Sequence, residues 1–272
     1  MPKPSLSDAL FRPRSVALVG AGDTPGKNNS KIYEYLKKHG YSGEIFPVNP
    51  TRDELYGVRC YRRVADIEAP VDQVLIMTPP QTVPDIIHDC AEIGASIATV
   101  FTANFAEVGI EGRTLQEKIV EIGRAGDVRL IGPNCIGIIG VKPSLALTAN
   151  SIMELPKLPE GGLSVISQSG SLLGTFISRG VDRGIGFAKL VSIGNECDLT
   201  VAEIVDTLVG DLAAAAQAHL AQPPQRVQSA QADVDHVLQA VEQERLEVVA
   251  PLPDPRDGQV REQAAAAYVE VA

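Results

Sequence analysis

Short apolar runs alternate with amphipathic stretches through the first two hundred or so residues. Ser15–Val19, Glu44–Val48, Gln73–Thr78, Ile97–Phe101 and Val128–Ile131 are mostly apolar and of strand length, as expected of strands buried on both faces. Between them Ser30–His39, Val83–Ile93 and Glu111–Arg124 place apolar residues at helical spacing. Strand and helix alternating through short loops predict right-handed crossovers and an α/β fold with a doubly wound parallel sheet. Ligands of such sheets sit beyond the carboxyl ends of the strands. Those ends are Gly20–Lys27, Asn49-Pro50, Thr78-Pro79, Thr102–Asn104 and Pro133-Asn134. Residues 1–14 form a polar, proline-bearing lead-in, whose Leu10 and Phe11 are expected to pack on the first strand.

The pattern pauses over 141–162, rich in proline and small polar residues, which reads as a linker. It restarts with a strand at Leu163–Ile166, a turn at Ser167–Ser171, a helix at Leu172–Arg183, a strand at Phe187–Ile193 and a helix at Leu199–Val209. This is a second, partial α/β unit. Near Asp211 the composition changes: lysine does not recur after Lys189, alanine and glutamine dominate, and glycine becomes rare. Val227, Ala230, Val234, Val237, Leu238 and Val241 predict one amphipathic helix, and Ala264–Ala267 a short one. Glu247–Val249 is the one run that reads as continuing the second sheet. The expected organisation is a first domain at 1–145, a partial second at 146–211, and a helical or poorly ordered tail at 212–272.

The stretch Ser15–Lys27 passes from strand to glycine turn to helix, with Gly20, Gly22 and Gly26 in the spacing G-x-G-x-x-x-G. Glycines let backbone N–H groups close on an anion, and a helix start adds partial positive charge. The spacing is one residue longer than the dinucleotide fingerprint. The second strand ends in Asn49, where a nicotinamide fold places an acid for the ribose; Asp53 and Glu54 follow only in the loop. A purely structural turn is the plain alternative.

Composition narrows the choices. Of 272 residues 44% are hydrophobic, enough for a buried core, and the net charge is −10. That excess of acid argues against nucleic acid or an anionic membrane as the main partner. An anionic ligand then needs local cations, for which Lys27, Lys31 and Lys142 are candidates. Cys60, Cys90, Cys135 and Cys197 form no C-x-x-C pair, which fits a reducing cytoplasm better than a disulfide framework or a metal site. No run reaches the roughly 18 apolar residues of a membrane span, and the beginning of the chain lacks a signal-peptide pattern.

The segments VALVGAGDTPGK, IFPVNP, TPP, NFAEVG, LIGPNCIG, SVISQSGSLLG and RGIGFAKLVSIGNECD occur in that order. Together they resemble the CoA-binding, α-type part of NDP-forming acyl-CoA synthetases. That group includes the ADP-forming acetate–CoA ligases and the α subunit of succinyl-CoA ligase. The resemblance covers residues 7–211. It implies a Rossmann-like CoA-binding domain followed by a flavodoxin-like one, with coenzyme A or acyl-CoA as ligand. Gly20, Ala21, Gly22, Thr24, Pro25, Gly26 and Lys27 would hold CoA phosphate and ribose. Asn49 and Pro50 would border the adenosine, Thr78, Pro79, Thr102, Ala103 and Asn104 the pantetheine path, and Pro133-Asn134 the thiol end. Asn104 stands where relatives often have glycine, and asparagine tolerates the left-handed backbone region such a turn needs. Ser167, Gln168, Ser169 and Gly170 match the helix start that receives a phosphoryl group.

The family reaction passes phosphate from an acyl phosphate to a histidine and on to a nucleotide held by an ATP-grasp domain. The glycine-flanked histidine does not occur in this sequence, nor does the glutamate-ending strand expected just after Asp211, nor the ATP-grasp domain. His39 and His88 fall in the first domain, His219 and His236 in the tail. No residue is therefore assigned a catalytic role, and ATP, ADP and Mg would enter only through an ATP-grasp, β-type partner. A homo-oligomer stays open. Readings from other classes are an NAD-binding regulatory protein and a non-enzymatic interaction module whose tail helix docks on a partner.

Overall fold

The computed structural model describes residues 3–220 and 268–271. The lead-in forms α1 (Leu6–Phe11), started by Ser5, whose side chain accepts from the Asp8 N–H. Leu10 and Phe11 are fully buried and pack with Val16 and Leu18 of β1 (Ser15–Val19). There follow α2 (Asn28–Lys38), β2 (Glu44–Val48), a hairpin of β3 (Glu54–Leu55) and β4 (Val58–Arg59), and β5 (Gln73–Ile76). The first unit closes with α3 (Val83–Glu92), β6 (Ile97–Val100), α4 (Ile110–Ala125) and β7 (Arg129–Ile131).

Five of these strands form one parallel sheet in the order β2-β1-β5-β6-β7. Every residue of β1, β5 and β6 is buried, which explains their unbroken apolar runs. Apolar side chains stand on both faces: Val16, Leu18, Leu75 and Ile97 on one, Ala17, Val19, Val74 and Ile76 on the other. Chain order reverses between β1 and β5, and a doubly wound sheet opens its ligand crevice at such a reversal. Gly20 and Thr78 lie just past those two strand ends.

The second unit comprises β8 (Gly137–Gly140), β9 (Leu145–Thr148), β10 (Glu160–Ser167), α5 (Gly170–Asp182), β11 (Phe187–Ser192), α6 (Val201–Leu220) and β12 (Tyr268–Val271). Its sheet runs β12-β10-β11-β8-β9, parallel across β12, β10 and β11, with β8 antiparallel to both β11 and β9. One expectation gives way here. Part of the segment 141–162, read as a linker, belongs to a buried hairpin: Leu145 and Leu147 of β9 join the core that Leu10 and Val16 belong to. Pro143 between two four-residue strands imitates the composition of a loop. Strand β12 pairs in parallel with β10, with Glu270 opposite Ile166. The stretches Val227–Val241, Glu247–Val249 and Ala264–Ala267 lie outside the described residues.

Helix α6 runs to Leu220, past the Val209 at which its apolar pattern fades. Its start is a capping box: the Thr200 hydroxyl accepts from the Glu203 N–H, and the Glu203 carboxylate accepts from the Thr200 N–H. The two units are tied by ion pairs as well as by core. Arg129 spans Asp198 and Glu203, each at 2.8 Å. Asp211 accepts from Arg12 at 2.9 Å and from Lys189 and Ser7. Burial acts to raise the Asp211 carboxyl, but these donors outweigh it and hold the group well below the usual carboxylate range.

Candidate functional site

The glycine turn closes over the end of β1. Gly20 has φ +84°, a left-handed conformation, and its N–H donates to the Val48 carbonyl at 2.9 Å. The carbonyls of the turn are taken from outside it. Asn29 Nδ2 donates to Gly20 at 2.9 Å, Asn49 Nδ2 to Ala21 at 2.8 Å, the Tyr56 hydroxyl to Gly22, and the Ser30 hydroxyl to Thr24 at 2.8 Å. With these carbonyls held, the rim from Asp23 to Lys27 stands exposed at the start of α2. Lys27 is exposed and has no ion pair among the described residues. Lys31 and Lys142 are engaged, with Glu154 at 3.0 Å and Glu160 at 2.9 Å.

Asn49 and Pro50 border this turn, though the Asn49 amide is spent on it: its Oδ1 also accepts from the Thr51 N–H at 3.0 Å. Asn29, Ser30 and Tyr56 were not legible as site residues, since each acts on a carbonyl through a contact that spacing does not reveal.

The remaining strand ends are knitted together. The Thr102 hydroxyl donates to the Thr78 carbonyl at 2.6 Å, and the Asn134 N–H to the Thr102 carbonyl at 2.9 Å. Asn104 adopts φ +73°, the left-handed conformation expected of its turn, with Ala103 beside it. Pro133 accepts from the Asn195 N–H at 2.8 Å. Glu107 links the two units here: its carboxylate accepts from the Asn104 N–H at 2.6 Å and from the Asn195 amide. Burial would raise the Glu107 carboxyl, but Asn195 and the backbone N–H groups around it outweigh that and hold it below the usual value of 4.5.

A group with a depressed folded pKa contributes stability above its unfolded pKa and loses it as pH falls through the folded one. The Asn104 amide is therefore expected to exchange about tenfold faster in Glu107→Ala than in wild type at neutral pH. Lowering the pH below about 4.5 should bring wild type toward the variant. Hydrogen exchange with and without the substitution checks both; an Asn104 amide that ignores the substitution rules the clamp out.

The second unit presents its own helix start. Ser169 caps α5, its hydroxyl accepting from the Leu172 N–H at 3.3 Å, and the buried Ser167 hydroxyl donates to the Ser169 carbonyl at 2.8 Å. Gln168 stays exposed, with its amide 3.3 Å from the Gly194 carbonyl. Gly170 is required by packing: a Cβ there would stand 2.4 Å from Ile136 Cγ2. Both serine hydroxyls thus serve the helix start itself, leaving the first backbone N–H groups of α5 to meet an anion. A cleft of about 930 Å³ reaches from Asn28 and Lys31 on α2, past Phe101, to Gly170 and Ser171 on α5. It joins the two helix starts. Of the residues that the resemblance implies as ligand-binding, Gly170 lines this cleft, whereas Gly20–Lys27, Asn49-Pro50, Thr78-Pro79, Thr102–Asn104, Pro133-Asn134 and Ser167–Ser169 do not.

His39 and His88 lie apart from it. His39 Nε2 lies 2.8 Å from the Met153 carbonyl, and His88 is exposed on α3. His219 falls on α6 and His236 lies outside the described residues. Cys60, Cys90 and Cys135 are buried and free, and Cys197 is half-buried and free. Burial pushes the Cys135 and Cys197 thiols up to about 12, so neither is a thiolate nucleophile at neutral pH.

A doubly wound sheet with a glycine turn at its reversal, followed by a smaller α/β unit with its own capped helix start, defines a two-unit α/β architecture. Residues 14–141 match the CoA binding domain and residues 160–220 the succinyl-CoA ligase like flavodoxin domain. The ADP-forming acetate–CoA ligase of Methanocaldococcus jannaschii is 38% identical over 199 residues, 73% of this chain and 27% of that protein. The α subunit of Pyrococcus furiosus ADP-forming acetate–CoA ligase II is 33% identical, over 74% of this chain and 43% of its own length. The apo structure of dinucleotide forming acetyl-coenzyme A synthetase 1 from Ca. Korarchaeum cryptofilum superposes with TM-score 0.69 at 35% identity, covering 73% of this chain and 42% of that one. The chain belongs to the ADP-forming acyl-CoA synthetases and corresponds to their CoA-binding, α-type part. It spans about a quarter to less than half of the curated relatives named here.

Proposed function

We propose that this polypeptide binds coenzyme A or its thioesters as the α-type portion of an enzyme that interconverts acid, CoA and ATP with acyl-CoA, ADP and phosphate. The observation that carries the reading is the glycine turn at the sheet's reversal, its carbonyls held by Asn29, Asn49 and Tyr56 and its rim from Asp23 to Lys27 exposed at the start of α2. CoA phosphates lie on Gly20–Lys27, where exposed backbone and the unpaired Lys27 offset their charge. The adenosine borders Asn49 and Pro50. The pantetheine arm passes Thr78, Pro79, Thr102, Ala103 and Asn104, and the thiol end reaches Pro133-Asn134. The start of α5, at Ser167–Gly170, then faces the acyl or phosphoryl group, where a helix N-terminus stabilises developing anionic charge.

ATP, ADP and Mg belong to an ATP-grasp partner, β-type in the split relatives, and the setting is cytoplasmic. No helix among the described residues is long and apolar enough to cross a membrane.

Isothermal titration tests the binding half directly. CoA and acetyl-CoA are expected to bind with Kd between about 1 μM and 1 mM, or roughly −8 to −4 kcal/mol. An absence of heat at millimolar CoA, or tighter binding of NADH in the same cell, would sink the reading.

A further inference from the structure

The hairpin β3–β4 turns on Tyr56 and Gly57, both left-handed, with φ 55° and 74°. Two-residue hairpin turns of this kind favour asparagine, aspartate or glycine at the first position, because an L-residue with a bulky side chain is strained there. A tyrosine held in that conformation asks what holds it. The answer lies at the far end of the side chain. The Tyr56 hydroxyl donates to the Gly22 carbonyl, with the Ser30 carbonyl also 3.3 Å away. Its ring lies flat on Tyr33 of α2, centroids 3.9 Å apart and planes within 2°.

The hairpin reaches the core through the buried Leu55 of β3. β3 and β4 are two residues each and pair only with one another, and a single bridge, Val48 to Tyr61, ties the chain beyond them to β2. Burial pushes the phenol up to about 12, with Glu34 and Asp23 adding to it, so the hydroxyl remains a donor throughout neutral pH.

We propose that Tyr56 is a positioning residue: the strained hairpin tip is a strut that holds the glycine turn in its ligand-ready shape. The inference rests on the reading of that turn as the CoA phosphate site. Asn29 and Asn49 grip the turn at Gly20 and Ala21; Tyr56 grips it one residue further on, next to the exposed rim. The strut is supplied by a separate piece of chain, so it can fail without unfolding the sheet.

Three readouts on Tyr56→Asn and Tyr56→Phe test this. Asparagine suits the left-handed backbone, so Tyr56→Asn is expected to keep or raise Tm while losing the strut. Amide exchange over residues 21–24 is then expected to rise by about tenfold and the CoA Kd by about fivefold or more. Tyr56→Phe keeps the ring stack and the strain but loses the hydroxyl, and should show the same two changes. If Tyr56 were merely structural, exchange and affinity would follow Tm. A Tyr56→Asn protein with wild-type exchange and wild-type Kd overturns the proposal, and should that variant not fold, Tyr56→Phe decides it alone. A wild-type protein that gives no heat with CoA, while its turn still loosens in both variants, overturns the CoA reading and supports the strut.

Discussion

Gly20→Ala is expected to weaken CoA binding by about 10- to 100-fold, corresponding to roughly 1.4–2.8 kcal/mol. Two physical effects add. Gly20 has φ +84°, and an L-residue in the left-handed region costs about 1–2 kcal/mol. A Cβ at Gly20 would also stand 3.0 Å from Thr78 Cγ2 and 3.1 Å from the Met77 carbonyl oxygen. Neither neighbour gives way freely: the Met77 N–H donates to Val19 across the sheet, and the Thr78 carbonyl takes the Thr102 hydroxyl. The turn must therefore shift away from β5, taking the Ala21 and Gly22 carbonyls off their donors.

Gly26→Ala is the matched control. It shares a positive φ of 79°, but its Cβ would meet nothing within 4 Å. Only the backbone cost applies, so its effect should stay near or below about tenfold. Thermal unfolding run alongside the titrations separates misfolding from lost affinity. Equal effects at the two glycines would show that the approach to Thr78 is irrelevant, and wild-type affinity in Gly20→Ala would remove the turn from the CoA site.

That contrast also marks what could be read from the sequence. Strands β1, β5 and β6 announce themselves as mostly apolar runs because both faces of the first sheet are covered. The glycine turn is equally plain, since glycine spacing after a strand is a local signal. What escapes is everything that acts through space. Asn29 and Tyr56 hold the turn through carbonyls that carry no sequence mark, and Tyr56 sits in a position where turn chemistry points to asparagine or glycine. Glu107 looks like a solvated loop carboxylate until Asn195 of the other unit is placed beside it. β9 is hidden by Pro143, and β12 by its four residues and its distance along the chain from β10. Burial is also what keeps Cys135 and Cys197 as thiols, and the sequence does not show it.

The largest expected effect is all-or-none: this polypeptide alone should form no phosphohistidine. Transfer to an imidazole needs its nitrogen in near-attack position, about 3–3.5 Å from phosphorus. In the proposed function the start of α5 receives the phosphoryl group, yet among the described residues neither His39 nor His88 lines the cleft that ends there. His39 already engages the Met153 carbonyl, and β12 sets Glu270 beside Ile166 on β10. The glycine-flanked histidine that the family's transfer uses does not occur in this sequence. Incubation with γ-labelled ATP or labelled acetyl phosphate should leave no acid-labile, base-stable label on the chain, with CoA binding intact.

Adding a polypeptide that brings both a glycine-flanked histidine and an ATP-grasp domain should yield label on that histidine, held against the Ser167–Gly170 helix start. Substituting Gly170→Ala, which drives a Cβ to 2.4 Å from Ile136, should then abolish the label and leave CoA binding within about threefold, since the two phosphate sites occupy separate units. Label recovered on His219 or His236 of the isolated chain would overturn the claim that the carrier comes from elsewhere.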